Sequence, residues 1–567
     1  MTTFDRYLRY AELVDELRVL ADRHPDLLAL ESIGRSHEGR DIWLATITAS
    51  ATGPHDAKPA HWVDANIHAG ELTGSVAALF LIDHLLTAGP HDDLIRRAVE
   101  TRTFYVVPRV NPDGAELALA DHPRYLRSSV RPWPWRDATA RPGLREEDVD
   151  GDGRLLLMRR PDPNGAWAPH PDEPRLLVRR PPDGGPRQTT YRLLVEGSVV
   201  DHDGFTIPTP PAPEGLDLNR NFPAGWATSV TGSGDFPGSE PEIRHLVQAI
   251  VDRPNICGYN AFHTSGGVLL RPSSMRSDRD LPPVDVWTWR RLGERATALT
   301  GYPVHSVYED FTWDKSRPMS GAADDWAYEH LGVYSWTTEF WDVIRAATGV
   351  GAPTDIWTTG PTAEQELAVL RWCDEHHPGE LYVDWYPFEH PQLGPVELGG
   401  WDFLRSWDNP PPSRLADEVA AHAGFAVHQA LAAPRLELLL ADATPEGDGL
   451  WRIRAGIANT GWLPTTVTRR AADENLVLPI VAELELPSGA EVVDGTARRE
   501  VGQLAGRSGF DLAGGSHNDG TPDRVLVTWL VRVPRQEPEA RPTVRIDARH
   551  PRAGAASTTL ELGSARP

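Results

Sequence analysis

Short apolar runs bounded by turn residues alternate with segments of helical period over most of this chain. The run His61-Trp62-Val63-Asp64-Ala65-Asn66-Ile67 reads as a buried strand, and Leu72 to Leu86 reads as an apolar helix. Phe104-Tyr105-Val106-Val107-Pro108 predicts a second strand, running into the turn signal Asn111-Pro112-Asp113-Gly114. Asn255 to Phe262 and Tyr334 to Thr338 predict two more strands, and the residues after Asp5 predict an amphipathic helix ending near His24-Pro25-Asp26. Strands interleaved with helices argue for an α/β domain. Leu415 to Leu431 predicts a helix that closes this domain, with a boundary near residue 433. Beyond Ala433-Pro434 the pattern changes to alternating strands at Leu436–Leu440, Trp451–Ile457, Ile480–Leu486 and Val525–Val533. Turn signals such as Pro445-Glu446-Gly447-Asp448-Gly449 separate them, and 459–465 reads as a hairpin-like turn. Residues 434–567 are therefore expected to form an all-β sandwich of immunoglobulin-like type.

Composition narrows the function classes. The 567 residues hold 81 acids against 56 bases, for a net charge of −25. That argues against nucleic acid or an anionic membrane as partner, since both demand positive surface. Cys257 and Cys373 are the only cysteines, so no disulfide framework is implied, and Cys257 in its apolar strand reads as a buried thiol. The N-terminus has no cationic stretch followed by an apolar run, and no apolar segment reaches about 18 residues. A cytoplasmic protein without a membrane span is the expectation. The oligomeric state is not legible.

The chemistry concentrates in four residues. His68 and Glu71, three apart where a strand runs into a helix, can aim their donor atoms at one point, and strand ends are where open α/β sheets build ligand sites. The strand before His263 delivers a third ligand, and the strand before Glu339 delivers a further carboxylate. An open His2Glu set suits a catalytic zinc, which keeps a position for water or substrate. Each residue alone reads equally as a core histidine or a helix-opening glutamate; together they point to a metal site.

In order along the chain stand Ser36-His37-Glu38-Gly39-Arg40, His68-x-x-Glu71, Asn111-Pro112-Asp113-Gly114, Arg124-x-x-Arg127, Asn219-Arg220-Asn221, Ser239-Glu240-Pro241-Glu242, His263 and Glu339. This series resembles the zinc carboxypeptidase family over roughly residues 5–390. The resemblance implies a mixed sheet flanked by helices in a catalytic domain of residues 1–433, with one Zn2+ held by His68, Glu71 and His263. It implies hydrolysis of the amide bond next to a free C-terminal carboxylate, with water on the metal as nucleophile. Glu339 is then the general base, and Arg127, preferred over Arg124 and Arg131 by spacing, polarises the scissile carbonyl. Asn219 and Arg220 are expected to bind the substrate carboxylate, which a guanidinium matches bidentately.

The chain departs from the family at the mobile tyrosine that caps that carboxylate. The position falls on Arg317, within Lys315-Ser316-Arg317-Pro318-Met319, with Tyr308 or Tyr328 as other candidates. Asp324 falls where members with basic specificity carry an acid, and Asp325 adjoins it; the pair reads equally as solvated acids opening the helix Ala322 to His330. An insertion at about 128–215, with Trp133-Pro134-Trp135 and the turn Pro181 to Gly185, is expected beside the cleft. Within it Asp148, Asp150 and Asp152 match the first half of a calcium loop, whose twelfth position is Arg159; an Asp/Gly-rich turn is the other reading. The expected partner is a peptide substrate. A deacylase or amidase acting on an acyl-amino acid or a cell-wall peptide is the second reading, and a non-catalytic binding protein the third.

Overall fold

The computed structural model describes residues 3–134, 141–184, 188–312, 314–317, 319–509, 520–534 and 542–562. Trp135, Gly185 and Pro318 lie outside the described residues. Eight strands build the central sheet: β1 (Leu28–Arg35), β2 (Asp41–Ile47), β3 (Ala60–Ala65), β4 (Thr103–Val107), β5 (Ile256–Thr264), β6 (Val268–Arg271), β7 (Val304–Ser306) and β8 (Tyr334–Phe340). Their order is β1-β2-β4-β3-β5-β8-β6-β7. The middle four, β4-β3-β5-β8, are parallel, while β1, β2 and β6 pair antiparallel with their neighbours β2, β4 and β8. The sheet is mixed, as expected.

Every residue of β3, β4 and β5 is buried, because helices cover both faces of the parallel centre. The helices Tyr10–Arg23, Thr73–Thr87 and Leu415–Ala432 pack one face through a cluster that includes Leu17, Leu81, Phe262 and Val427. Pro241–Val251 and Ala323–Trp326 pack the other through Trp62, Tyr259, Leu246 and Trp326. Gly74 shows how tightly the second helix sits on β5: a Cβ there would lie 2.6 Å from the Phe262 carbonyl oxygen. That approach sets the turn carrying Glu71 against the strand carrying His263.

The 128–215 insertion folds with a hairpin much further along the chain. Leu157–Pro161, Trp167–Pro169, Leu177–Arg179 and Tyr191–Val195 join Tyr382–His390 and Gly394–Trp401 in a six-stranded sheet. Beyond residue 433 lie two four-stranded antiparallel sheets. One holds Leu436–Gly447, Leu450–Asn459, Glu491–Val492 and Arg524–Arg532; the other holds Ile480–Glu485, Arg498–Gly502, Thr543–His550 and Gly554–Glu561. Their inward residues, among them Ile453, Trp529, Ala482 and Ile546, form one buried cluster. This part is all-β.

The segment 459–465 is not a hairpin turn. It docks on the α/β part of the molecule: the Leu463 amide donates to the Ala432 carbonyl at 2.9 Å, and Trp462 stacks on Trp287 with ring centroids 6.4 Å apart. Leu463 joins the cluster of Trp289, Trp336 and Phe425. The Asn-Thr-Gly sequence gave a turn signal, but the apolar residues that follow it have a surface to cover. Cys257 and Cys373 are both buried free thiols. Among the described residues no helix is long and apolar enough to cross a membrane.

Candidate metal centre and cleft

Strand β3 ends at Ala65, and Asn66 takes a positive φ of 57° that turns the chain toward the helix at Thr73. The Asn66 side chain fixes this turn by donating to the His68 carbonyl at 2.7 Å and accepting from Ser75 Oγ at 3.0 Å. His68 and Glu71 project from it. His263 leaves the end of β5, beside Glu339 in the parallel register with β8, so both side chains enter the same space.

Four donor atoms converge there. Glu71 Oε1 is 2.6 Å from His68 Nδ1, and Glu71 Oε2 is 2.8 Å from His263 Nδ1. The two Nδ1 atoms face each other at 3.2 Å. Two imidazole nitrogens this close repel as lone pairs unless a proton or a cation lies between them. A buried set of two imidazoles and a carboxylate is the donor set zinc prefers, so the residues fit a zinc ion. Against the burial that raises it, the two histidines hold the Glu71 carboxyl below the ordinary range.

Asp217 ties this centre to Arg127. Its Oδ1 lies 3.1 Å from His68 Nε2, while its Oδ2 accepts from Arg127 Nε at 3.1 Å. Burial opposes its ionisation, yet Arg127 and His68 hold it well below the usual carboxylate range. Arg127 Nη1 also reaches Glu71 Oε1 at 3.5 Å. Asp217 lies outside the sequence motifs, and its only signal is standing two residues before Asn219.

A cleft of about 410 Å³ holds these groups. His68, Glu71, Arg127, His263 and Glu339 line it, together with Asn219, Arg220, Arg317 and Asp324. The three candidate zinc ligands, Glu339, Arg127 and the candidates Asn219, Arg220, Arg317 and Asp324 therefore meet in one cavity. Asn219 Oδ1 accepts from the Ala323 amide at 2.9 Å, which leaves its amide nitrogen for the cleft, and Arg220 Nη1 donates to the Asn219 carbonyl at 2.6 Å. Glu339 accepts no hydrogen bond from the described residues, and burial pushes its carboxyl up to about 8, with His263 opposing and Glu71 adding to the effect.

Other candidates fall elsewhere. Tyr328 is buried with its hydroxyl on Asp285, and Tyr308 does not line the cleft, so of the three cap candidates only Arg317 does. Arg124 pairs with Glu214, and Arg131 pairs with Glu240. Asp325 turns away from the cavity to accept from the Ser274 amide at 2.9 Å, and burial followed by the Asp324 charge pushes it up to about 8. In the acidic loop, Asp148 and Asp150 group with Glu196, while Asp152 is exposed. Asp148 accepts the Gly151 and Gly153 amides, and Glu196 accepts those of Val149 and Leu156. Arg159 pairs with Glu397 at 2.9 Å. This is the bonding of an Asp/Gly-rich turn, and it lends calcium no support.

Residues 13–349 match the family model described as zinc carboxypeptidase, and residues 435–561 match one described as a domain of unknown function. A zinc carboxypeptidase of Saccharothrix mutabilis subsp. capreolus is 30% identical over 114 residues, 20% of this chain and 26% of that protein. The chain thus spans about a quarter of that relative's length. Carboxypeptidase B of Astacus astacus is 25% identical over 345 residues, 59% of this chain and 86% of its own length. Among solved structures, the carboxypeptidase A of Helicoverpa armigera has 18% identity and a TM-score of 0.39, covering 66% of this chain and 76% of that one. With more than half of its length matched by the family model, this chain belongs to the zinc carboxypeptidase family.

Proposed function

We propose that this protein is a zinc carboxypeptidase that hydrolyses the amide bond next to a free C-terminal carboxylate. One observation carries the reading: the two-histidine, one-glutamate centre, Glu339 and the Asn219–Arg220 pair all line a single cleft. His68, Glu71 and His263 would hold the zinc, which when bound supplies a Lewis acid that polarises the scissile carbonyl and acidifies water. Glu339 takes the proton of the attacking water and delivers it to the leaving nitrogen. Arg127, aimed by Asp217, holds the developing oxyanion. Arg220 and the Asn219 amide nitrogen clamp the terminal carboxylate and fix which bond is presented. Asp324, buried in the same wall, would favour a basic terminal side chain.

Arg317 supports a narrower second reading. A guanidinium in place of the capping tyrosine adds positive charge at the mouth of the cleft, which suits an acyl-amino acid or a cell-wall peptide with a further acidic group. The test pairs each peptide with its C-terminal amide. Hydrolysis of the free acid at least about a hundredfold faster than the amide is expected, because the amide cannot form the charge-assisted pair with the Arg220 guanidinium. Equal rates on both would overturn the proposal.

A further inference from the structure

A second cavity, of about 320 Å³, opens beside the cleft and shares Ser265 and Trp357 with it. Trp341, Trp357, Phe403 and Trp407 wall it, and Glu366 and Asp408 line it with them. Trp357 and Phe403 keep 44% and 41% of their surface exposed; large aromatic rings left open beside an active site mark a contact surface. Trp357 stands at the join of the two cavities. A Cβ on Gly266 would lie 2.5 Å from its ring and 3.7 Å from the Glu339 Cβ, so this wall abuts the strand that carries Glu339.

Position and charge define what the cavity takes. Asn219, Arg220, Arg317 and Asp324 do not line it, so it lies away from the carboxylate clamp. Asp408 is nonetheless close enough to Glu71 and Arg127 for their charges to act on it. Because the cavity adjoins the metal centre and lies away from the clamp, a chain anchored at the clamp would reach it with the residue on the acyl side of the scissile bond. Among the described residues the side chains of Glu366 and Asp408 make no hydrogen bond or ion pair. Burial is the only influence on Glu366, and it pushes that carboxyl up to about 7. Two carboxylates with no ion-pair partner among the described residues, set among aromatic rings, are complementary to a cation: the ring faces attract it and the carboxylates pair with it. A neutral side chain would bury both acids uncompensated, and an acidic one would be repelled.

Building on the hydrolytic reading above, we propose that this aromatic, acidic cavity is a subsite for the residue before the scissile bond and selects lysine or arginine there. The test uses the zinc-loaded full chain at pH 8 on blocked dipeptides with one fixed C-terminal residue, preceded by Lys, Arg, Leu, Phe or Glu. Lys and Arg should exceed Leu in kcat/KM by at least about tenfold. Glu366→Gln and Asp408→Asn should each cut that ratio by about threefold or more, and Glu366→Lys should move the preference toward Glu. A Lys-to-Leu ratio near one in the parent protein, or an unchanged ratio in all three variants, overturns the subsite while hydrolysis stands. Failure to cleave any dipeptide overturns the hydrolytic reading together with the subsite.

Discussion

Glu339 and Asp217 mark two different ways in which a residue can matter in this cleft. Glu339 faces the cavity with no hydrogen-bond or ion-pair partner among the described residues, which is what a group that must exchange protons with water requires. Glu339→Gln should lower kcat by about a thousandfold while zinc content stays at the parent level, read by steady-state kinetics alongside elemental analysis. An active Gln variant would remove Glu339 from the chemistry. Asp217 touches His68 and Arg127, so it positions both. Asp217→Asn should loosen zinc about 10- to 100-fold, measured by chelator competition, because the orienting carboxylate of a ligating histidine is lost. Unchanged zinc affinity would leave Asp217 with Arg127 alone. The candidate metal ligands were legible in the sequence because H-x-x-E ties two donors to one turn. Asp217 was not, since its role exists only once the loop holding it folds over His68.

At the scale of elements, the parallel strands and their covering helices were legible because full burial writes continuous apolar runs into the chain. The six-stranded sheet was not. Its strands in the insertion are three to five residues long, too short to show a period, and their partners wait at 382–401. Two histidines inside the layers give the fold a pH signature. His61 on β3 and His422 on the helix Leu415–Ala432 are buried, and burial pushes each down to about 3 from 6.5. The folded state keeps both rings neutral, so the unfolded chain binds more protons between about pH 6.5 and 3. Their contribution is complete above that window and is lost as pH falls through it. His422→Phe keeps the ring packing on Tyr302 and Phe340 but cannot titrate. Followed by circular dichroism, its acid-unfolding midpoint should fall below that of the parent; a midpoint that stays or rises would contradict this.

The whole molecule is held together by a polar seam as well as by the Trp462 contact. Arg552, on the loop before the last strand, is buried and donates to the carbonyls of Leu331, Gly332 and Thr466. The amides of Arg469 and Arg470 end on Asp285. The β-sheets beyond residue 433 therefore brace the helix and turn that lead into β8 and Glu339. Arg552→Ala should cost about 2–4 kcal/mol, seen as a lower melting temperature, because it takes the guanidinium donor from the Leu331 and Thr466 carbonyls and leaves Gly332 with the Thr468 hydroxyl alone. No loss would show that the seam is dispensable. Four of the eight C-terminal strands showed in the sequence; Thr543–His550 did not, because its outward positions are charged and its apolar positions sparse. The central claim is that one zinc, held by His68, Glu71 and His263, supports hydrolysis next to a carboxylate. The most direct test titrates zinc into metal-free protein while peptide hydrolysis is followed. Activity should rise from none and saturate at one equivalent per chain, and His68→Ala should abolish both binding and turnover. Hydrolysis by the metal-free protein, or full activity in the His68→Ala variant, would contradict it.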